Sequence, residues 1–130
     1  MSNKLEAERP LSPHLQIYRP MLTMMVSIAH RVSGASLAVG FALLTWWLVA
    51  ISMGPEAYAC VSAFFGSLIG RALLFVFTWA LIHHMMGGIR HLIWDTGHGF
   101  ELATVDRMCR MSLIAAPVAT VLIWLLAGGF

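Results

Sequence analysis

A chain of 130 residues has room for one domain, and 59% hydrophobic against 11% charged residues leaves too little charge to clothe a water-facing surface. Soluble domains carry roughly 25% charge, so lipid must be the main solvent here. A net charge of +2 without a dense basic run excludes nucleic acid as the evident partner.

Residues 1–26 read as a cytoplasmic arm. Its stretch "ERPLSPHLQIYRP" holds Pro10, Pro13 and Pro20, which favour extended or turn structure over helix. Such an arm would lie along the headgroup layer or a soluble partner, with His14 at the surface. Glu6 and Glu8 stand near the start and the first apolar run comes late, so neither a cleavable signal nor a transit peptide is expected.

Three stretches can cross a bilayer, at about 27–52, 66–90 and 108–130, each near the roughly 20 apolar residues a span needs. Val32–Ser52 has no acidic or basic residue, Ala72–Ile89 is interrupted only by His83 and His84, and Met111–Phe130 is uncharged. Backbone in lipid must satisfy its own hydrogen bonds, so each span is a helix. The expected fold is an all-α membrane protein, three transmembrane helices with an extended N-terminal arm, forming a single membrane-anchor domain over 1–130.

Cys60 and Cys109 then fall near opposite membrane faces and should remain free thiols. The segment 95–106 carries Gly97 and Gly99 and reads as a turn, with Thr104 capping a lead-in to the third span and Pro117 kinking that span. Tryptophans near span ends suit interfacial belts. The methionines near both histidine stretches suit packing rather than iron ligation.

Lys4, Arg9, Arg19 and Arg31 precede or open the first span, and Arg90, Arg107 and Arg110 follow the second. Only Arg71 lies between the first two spans. The positive-inside rule places the N-terminus on the cytoplasmic side, or in a mitochondrial matrix, and the C-terminus outside.

The second span ends in "HHMMGGIRHLIWD", residues 83–95. Ionisable groups inside a span are costly and usually functional. His84 lies about 9 Å along the axis from Arg90, within the hydrocarbon. Ala80, Gly87 and Gly88 sit at i−4, i+3 and i+4 from it and clear a recess around the imidazole. Two readings of that recess stand. Small residues let helices pack closely in lipid, with the histidine bonding across the seam. Alternatively the recess admits a planar macrocycle whose iron takes the imidazole.

The first span begins with "SIAHRVSG", where Ser27, His30, Arg31 and Gly34 share a helical face. This trio of polar groups suits carboxylates and a carbonyl oxygen: haem propionates for His30 and Arg31, with Arg90 or His91 in reach, and a polar oxygen for Ser27. The plainer reading of Arg31 is a snorkelling anchor. His83 is about 100° around the helix from His84, so the two cannot grip one iron from the same face. A second axial ligand would come from a partner. Asp95 reads either as a proton-supply group or as a solvated acid.

The stretches "RPLSPHLQIY" (9–18), "SIAHRVSG" (27–34) and "HMMGGIRHLIWD" (84–95), in this order and with three spans, resemble the cytochrome b-type membrane-anchor subunit of succinate dehydrogenase, respiratory complex II. The resemblance covers essentially the whole chain. It implies half of a heterodimeric helix bundle, with a second anchor subunit supplying the other axial histidine to a shared haem b, and with iron–sulfur and flavoprotein subunits attached. Carried over residue by residue, it implies His84 as the haem iron ligand, with Gly88, Arg90 and His91 completing the motif. It implies Ser27 and Arg31 at the ubiquinone site and His30 at the haem propionates, where the residues themselves also suggest Arg31 and His91. His83 lies outside the motif. The resemblance also implies succinate chemistry in the partners rather than in this chain, and the expected location is a bacterial inner membrane, N-terminus cytoplasmic and C-terminus periplasmic. An anchor of a fumarate reductase or another quinone-linked complex, and a cofactor-free membrane subunit, are the competing readings.

Overall fold

The computed structural model describes residues 17–128. Among them are four helices: α1 (Leu22–Met53), α2 (Pro55–Gly66), α3 (Leu68–Asp95) and α4 (Leu102–Leu126), with no strand. Three are long and apolar enough to cross a membrane: α1 with 32 residues, α3 with 28 and α4 with 25. The all-α, three-span architecture agrees with the sequence reading. Most of the expected arm, including His14, lies outside the described residues; 17–21 are not helical.

The ends of the helices differ from expectation, and this matters for the site. α1 starts at Leu22 rather than 27, just after Pro20 and an extended Met21 (φ −89°, ψ 147°). Ser27 therefore sits inside the helix, in register with His30 and Arg31. At 1.5 Å per residue α1 is about 48 Å long, well beyond the ~30 Å hydrocarbon layer. α3 runs on to Asp95, keeping Arg90, His91 and Trp94 on the same helix as His84. α4 starts at Leu102 rather than 108, with Glu101 as its N-cap, so Thr104 is within the first turn and does not cap it. Asp106 and Arg110 pair at 2.8 Å one turn apart on its exposed side. The helix continues through Pro117.

α2 is an element that hydropathy does not separate from the connection between the first two spans. α1 stops at Gly54, whose φ of 111° favours glycine. Pro55 then opens α2, where its missing N–H costs nothing, and Glu56 faces the positive end of the helix dipole. Ser67 breaks the helix and caps α3, its Oγ accepting from the Gly70 N–H at 3.1 Å. A Cβ at Gly70 would run into the Phe64 carbonyl, so glycine is what lets this corner close.

The three long helices pack antiparallel in sequence. His30 and Phe41 of α1 face His84 and Phe77 of α3. Cys109 and Trp124 of α4 bond Arg90 and Thr78 of α3. Small residues occupy the seams: Ala50, Ala80, Ala116 and Ser33 are buried, whereas Leu68, Ile69, Ile114 and Leu125 are widely exposed. That inversion is what a lipid solvent requires, because the bilayer supplies the apolar environment and close backbone approach supplies the packing. Cys60 is exposed on α2 and Cys109 is buried on α4, both as free thiols.

Candidate functional site

His84 and His30 meet across the α1–α3 seam with parallel rings, 5° apart in plane and 4.1 Å between centroids. Two glycines make this approach possible. A Cβ on Gly34 would come within 2.8 Å of His84 Cε1, and a Cβ on Gly87 would run into the His30 ring. Gly87 therefore holds His30, a correction to the expectation that it leaves its share of the recess open. Ala80 is buried as well. Gly88, by contrast with Gly87, has nothing within 4 Å of its would-be Cβ among the described residues.

The hydrogen bonds fix the tautomer of His84. Its Nδ1 lies 3.1 Å from the His30 carbonyl oxygen and 3.4 Å from Ser33 Oγ. A backbone carbonyl can only accept, so Nδ1 carries the proton and Nε2 carries the lone pair. Nε2 has no hydrogen-bond partner among the described residues and is not sealed off by the chain. Histidine metal ligands characteristically donate their second N–H to a carbonyl or carboxylate. Of the two readings of this histidine, the seam bond is realised at Nδ1, and the other nitrogen keeps the capacity to bind a metal. The residues fit an iron-bearing macrocycle on this test.

His83 is placed differently. It is 2% exposed, stacks on Trp79 at 5.5 Å, and both ring nitrogens are buried without a hydrogen-bond partner among the described residues. Arg90, two turns further along, shares its face. Arg90 is 5% exposed, donates from Nη1 to Cys109 Sγ at 3.4 Å, and stands 5.4 Å over the Trp94 ring. It thus packs against α4 through Cys109. Trp94 in turn donates from Nε1 to the Gly99 carbonyl at 3.1 Å, tying the 96–101 connection to the end of α3.

Of the remaining residues singled out in the sequence, His91 approaches His30. His91 is exposed, 5.5 Å from the His30 ring and 5.1 Å from Trp94. The His30 Nε2 is buried and has no hydrogen-bond partner among the described residues. Arg31 is exposed with no ion pair or hydrogen bond among the described residues. Further along α1, Ser33, Ser36, Thr45 and Ser52 each return their hydroxyl to a carbonyl three or four residues back. Ser27 makes no such bond, and its half-buried hydroxyl has no partner among the described residues. Asp95 is exposed. The residue that sequence reasoning misses is Ser33. Its spacing of three from His30 is visible in the sequence, but not that it turns toward the neighbouring helix.

The chain can donate hydrogen bonds from Ser27, offer positive charge from Arg31, and present one free imidazole nitrogen at His84. Comparison with known proteins identifies the family. Residues 6–126 match the model of the family described as "Succinate dehydrogenase/Fumarate reductase transmembrane subunit". The chain is 39% identical over 122 residues to the succinate dehydrogenase cytochrome b556 subunit of Paracoccus denitrificans, covering 94% of each. It is 41% identical over 113 residues to the succinate dehydrogenase cytochrome b560 subunit of Marchantia polymorpha, covering 78% of this chain and 77% of that one. To the mitochondrial cytochrome b560 subunit of Mus musculus it is 37% identical over 101 residues, covering 76% of this chain and 60% of that one. The chain belongs to the succinate dehydrogenase/fumarate reductase transmembrane subunit family and is a multi-pass membrane-anchor subunit of succinate dehydrogenase.

Proposed function

We propose that this chain is the membrane-anchor subunit of a succinate:ubiquinone oxidoreductase, sharing one haem b with a second anchor subunit and forming part of the ubiquinone reduction site. The curated relatives are named cytochrome b556 and b560 subunits, which supports haem as the group held here. The observation that carries the reading is the Nδ1–H bond of His84 to the His30 carbonyl, because it leaves Nε2 as an iron ligand. His83 has no comparable nitrogen, since both of its own are enclosed. When bound, haem b supplies a one-electron carrier beside the quinone.

The roles of the other residues follow from their chemistry. His30, Arg31 and His91 suit the haem propionates: Arg31 and His91 are exposed, and the buried Nε2 of His30 would reach a propionate once its ring turns outward. Ser27 offers a free hydroxyl to a quinone carbonyl oxygen. Arg31 stabilises negative charge as that oxygen is reduced, an effect that is larger in a site with little water. Both residues lie on the His30 face of α1, Ser27 about 10 Å along the axis from Gly34. A quinone bound there sits near the membrane boundary, where protons reach it and where an iron–sulfur partner can deliver electrons. The flavoprotein partner oxidises succinate, linking the tricarboxylic acid cycle to electron transport, and the second anchor subunit supplies the other axial histidine. The whole chain acts as one anchor domain in the bacterial inner membrane, N-terminus in the cytoplasm and C-terminus in the periplasm.

The test is the dithionite-reduced absorption spectrum of the purified complex. The wild type should show a b-type spectrum, and His84→Ala should lose it while the complex still assembles. A colourless wild-type complex, or a His84→Ala complex with an unchanged spectrum, refutes the reading.

A further inference from the structure

Ser33 is 3% exposed and sits at the contact of α1 with His84. Its hydroxyl donates to the His30 carbonyl at 2.8 Å. The same oxygen lies 3.4 Å from His84 Nδ1, which itself lies 3.1 Å from the His30 carbonyl. The three groups close a triangle in which the Nδ1 proton is shared between two acceptors. The His30 carbonyl is heavily used: as part of α1 it also accepts the Gly34 N–H. It has limited capacity left, so the Ser33 oxygen takes up part of the imidazole's donation. Ser33 has no need of His84 to be satisfied, because its own proton already goes to the helix. Its lone pairs are what face the ring.

We propose that Ser33 is a positioning residue for the axial histidine: its hydroxyl and the His30 carbonyl together hold the His84 ring in one orientation and draw on its Nδ1 proton, which tunes the haem. This rests on His84 being the haem ligand. A ring whose N–H is shared by two acceptors is the stronger electron donor through its other nitrogen, and a stronger donor favours the ferric state. Loss of the hydroxyl therefore shifts the haem toward the reduced form.

The experiment is a potentiometric titration of the haem, with its low-spin electron paramagnetic resonance signal, in the intact solubilised complex carrying Ser33→Ala, Ser33→Thr, Ser33→Val or His84→Ala. Ser33→Ala should retain haem. At a fixed ambient potential its reduced-to-oxidised ratio should rise by about twofold to threefold, a fraction of one ordinary hydrogen bond's weight, because the bond exists in both oxidation states and only its difference between them counts. Its resonance signal should shift as the ring plane turns. Ser33→Thr keeps the hydroxyl and should stay near wild type, whereas Ser33→Val, of similar size, should follow Ser33→Ala. An unchanged ratio in Ser33→Ala overturns the proposal, as does a shift toward the oxidised form. Equal behaviour of the threonine and valine variants also overturns it, since only packing would then be at work. The two readings fail separately: a His84→Ala complex that keeps its haem defeats the ligand assignment, while a haem-free His84→Ala beside an unshifted Ser33→Ala defeats only the role of Ser33.

Discussion

The imidazoles of His30 and His84 lie face to face, 4.1 Å between centroids, and each ring occupies the space a Cβ would take on the opposite helix. Gly34 makes room for His84, and Gly87 makes room for His30. The pairing is reciprocal, so adding a methyl group on either side pushes the two helices apart.

Gly87→Ala should cost about 1–3 kcal/mol, the usual range for overpacking a close contact. It should also lower the haem-to-protein ratio of the complex, since His84 loses its stacking partner. Gly88→Ala meets nothing within this chain and should leave the α1–α3 packing intact, so its thermal midpoint should fall less than that of Gly87→Ala. Midpoints of the two purified complexes decide the matter; equal values would mean that Gly87 is not a packing position.

His83 and His84 are neighbours with opposite fates. His84→Ala should abolish the reduced b-type spectrum, and His83→Ala should leave it. His83→Leu should in addition be neutral or stabilising, because it removes two buried nitrogens that have no hydrogen-bond partner among the described residues. Equal loss of the spectrum in both alanine variants would take away the ground for preferring His84.

Ser27→Ala and Arg31→Ala should each reduce succinate–quinone turnover by about a hundredfold, the scale of losing one placed donor in a site with little water. Succinate oxidation with a soluble artificial acceptor should be unaffected, since that chemistry belongs to the partner subunits. Arg31→Lys should recover only part of the loss, because an ammonium cannot present the planar fork of donors. Undiminished quinone turnover in Ser27→Ala and Arg31→Ala would count against the site.

Arg90 belongs to the α3–α4 contact. Arg90→Lys should destabilise the fold by about 1–3 kcal/mol, read as a lower thermal midpoint, through lost contact with Cys109 and Trp94. The haem spectrum should persist. A variant with normal stability and no haem would instead move Arg90 into the haem site.

Much of the architecture is legible in the sequence. Three apolar runs of spanning length can only be helices in lipid, and that follows from backbone hydrogen bonding whatever surrounds them. Helical periodicity likewise puts Ser27, His30, Arg31 and Gly34 on one face, and sets His83 about 100° away from His84. The boundaries are less legible. Charged residues such as Asp106, Arg107 and Arg110 mark where lipid ends and not where the helix ends, so α4 begins earlier than expected. α2 is announced by Gly54, Pro55 and Glu56, but its 12 residues are too few to span.

What the sequence alone determined, then, is which side chains share a face of a single helix, because that depends only on the 3.6-residue turn. Which face meets which neighbour was decided by the tertiary structure. Packing turned Arg90 toward Cys109, filled the Gly87 recess with His30, and joined Ser33 and His84 across 51 positions of chain. Those outcomes depend on where two helices approach most closely, a property of the pair that neither stretch of sequence carries by itself.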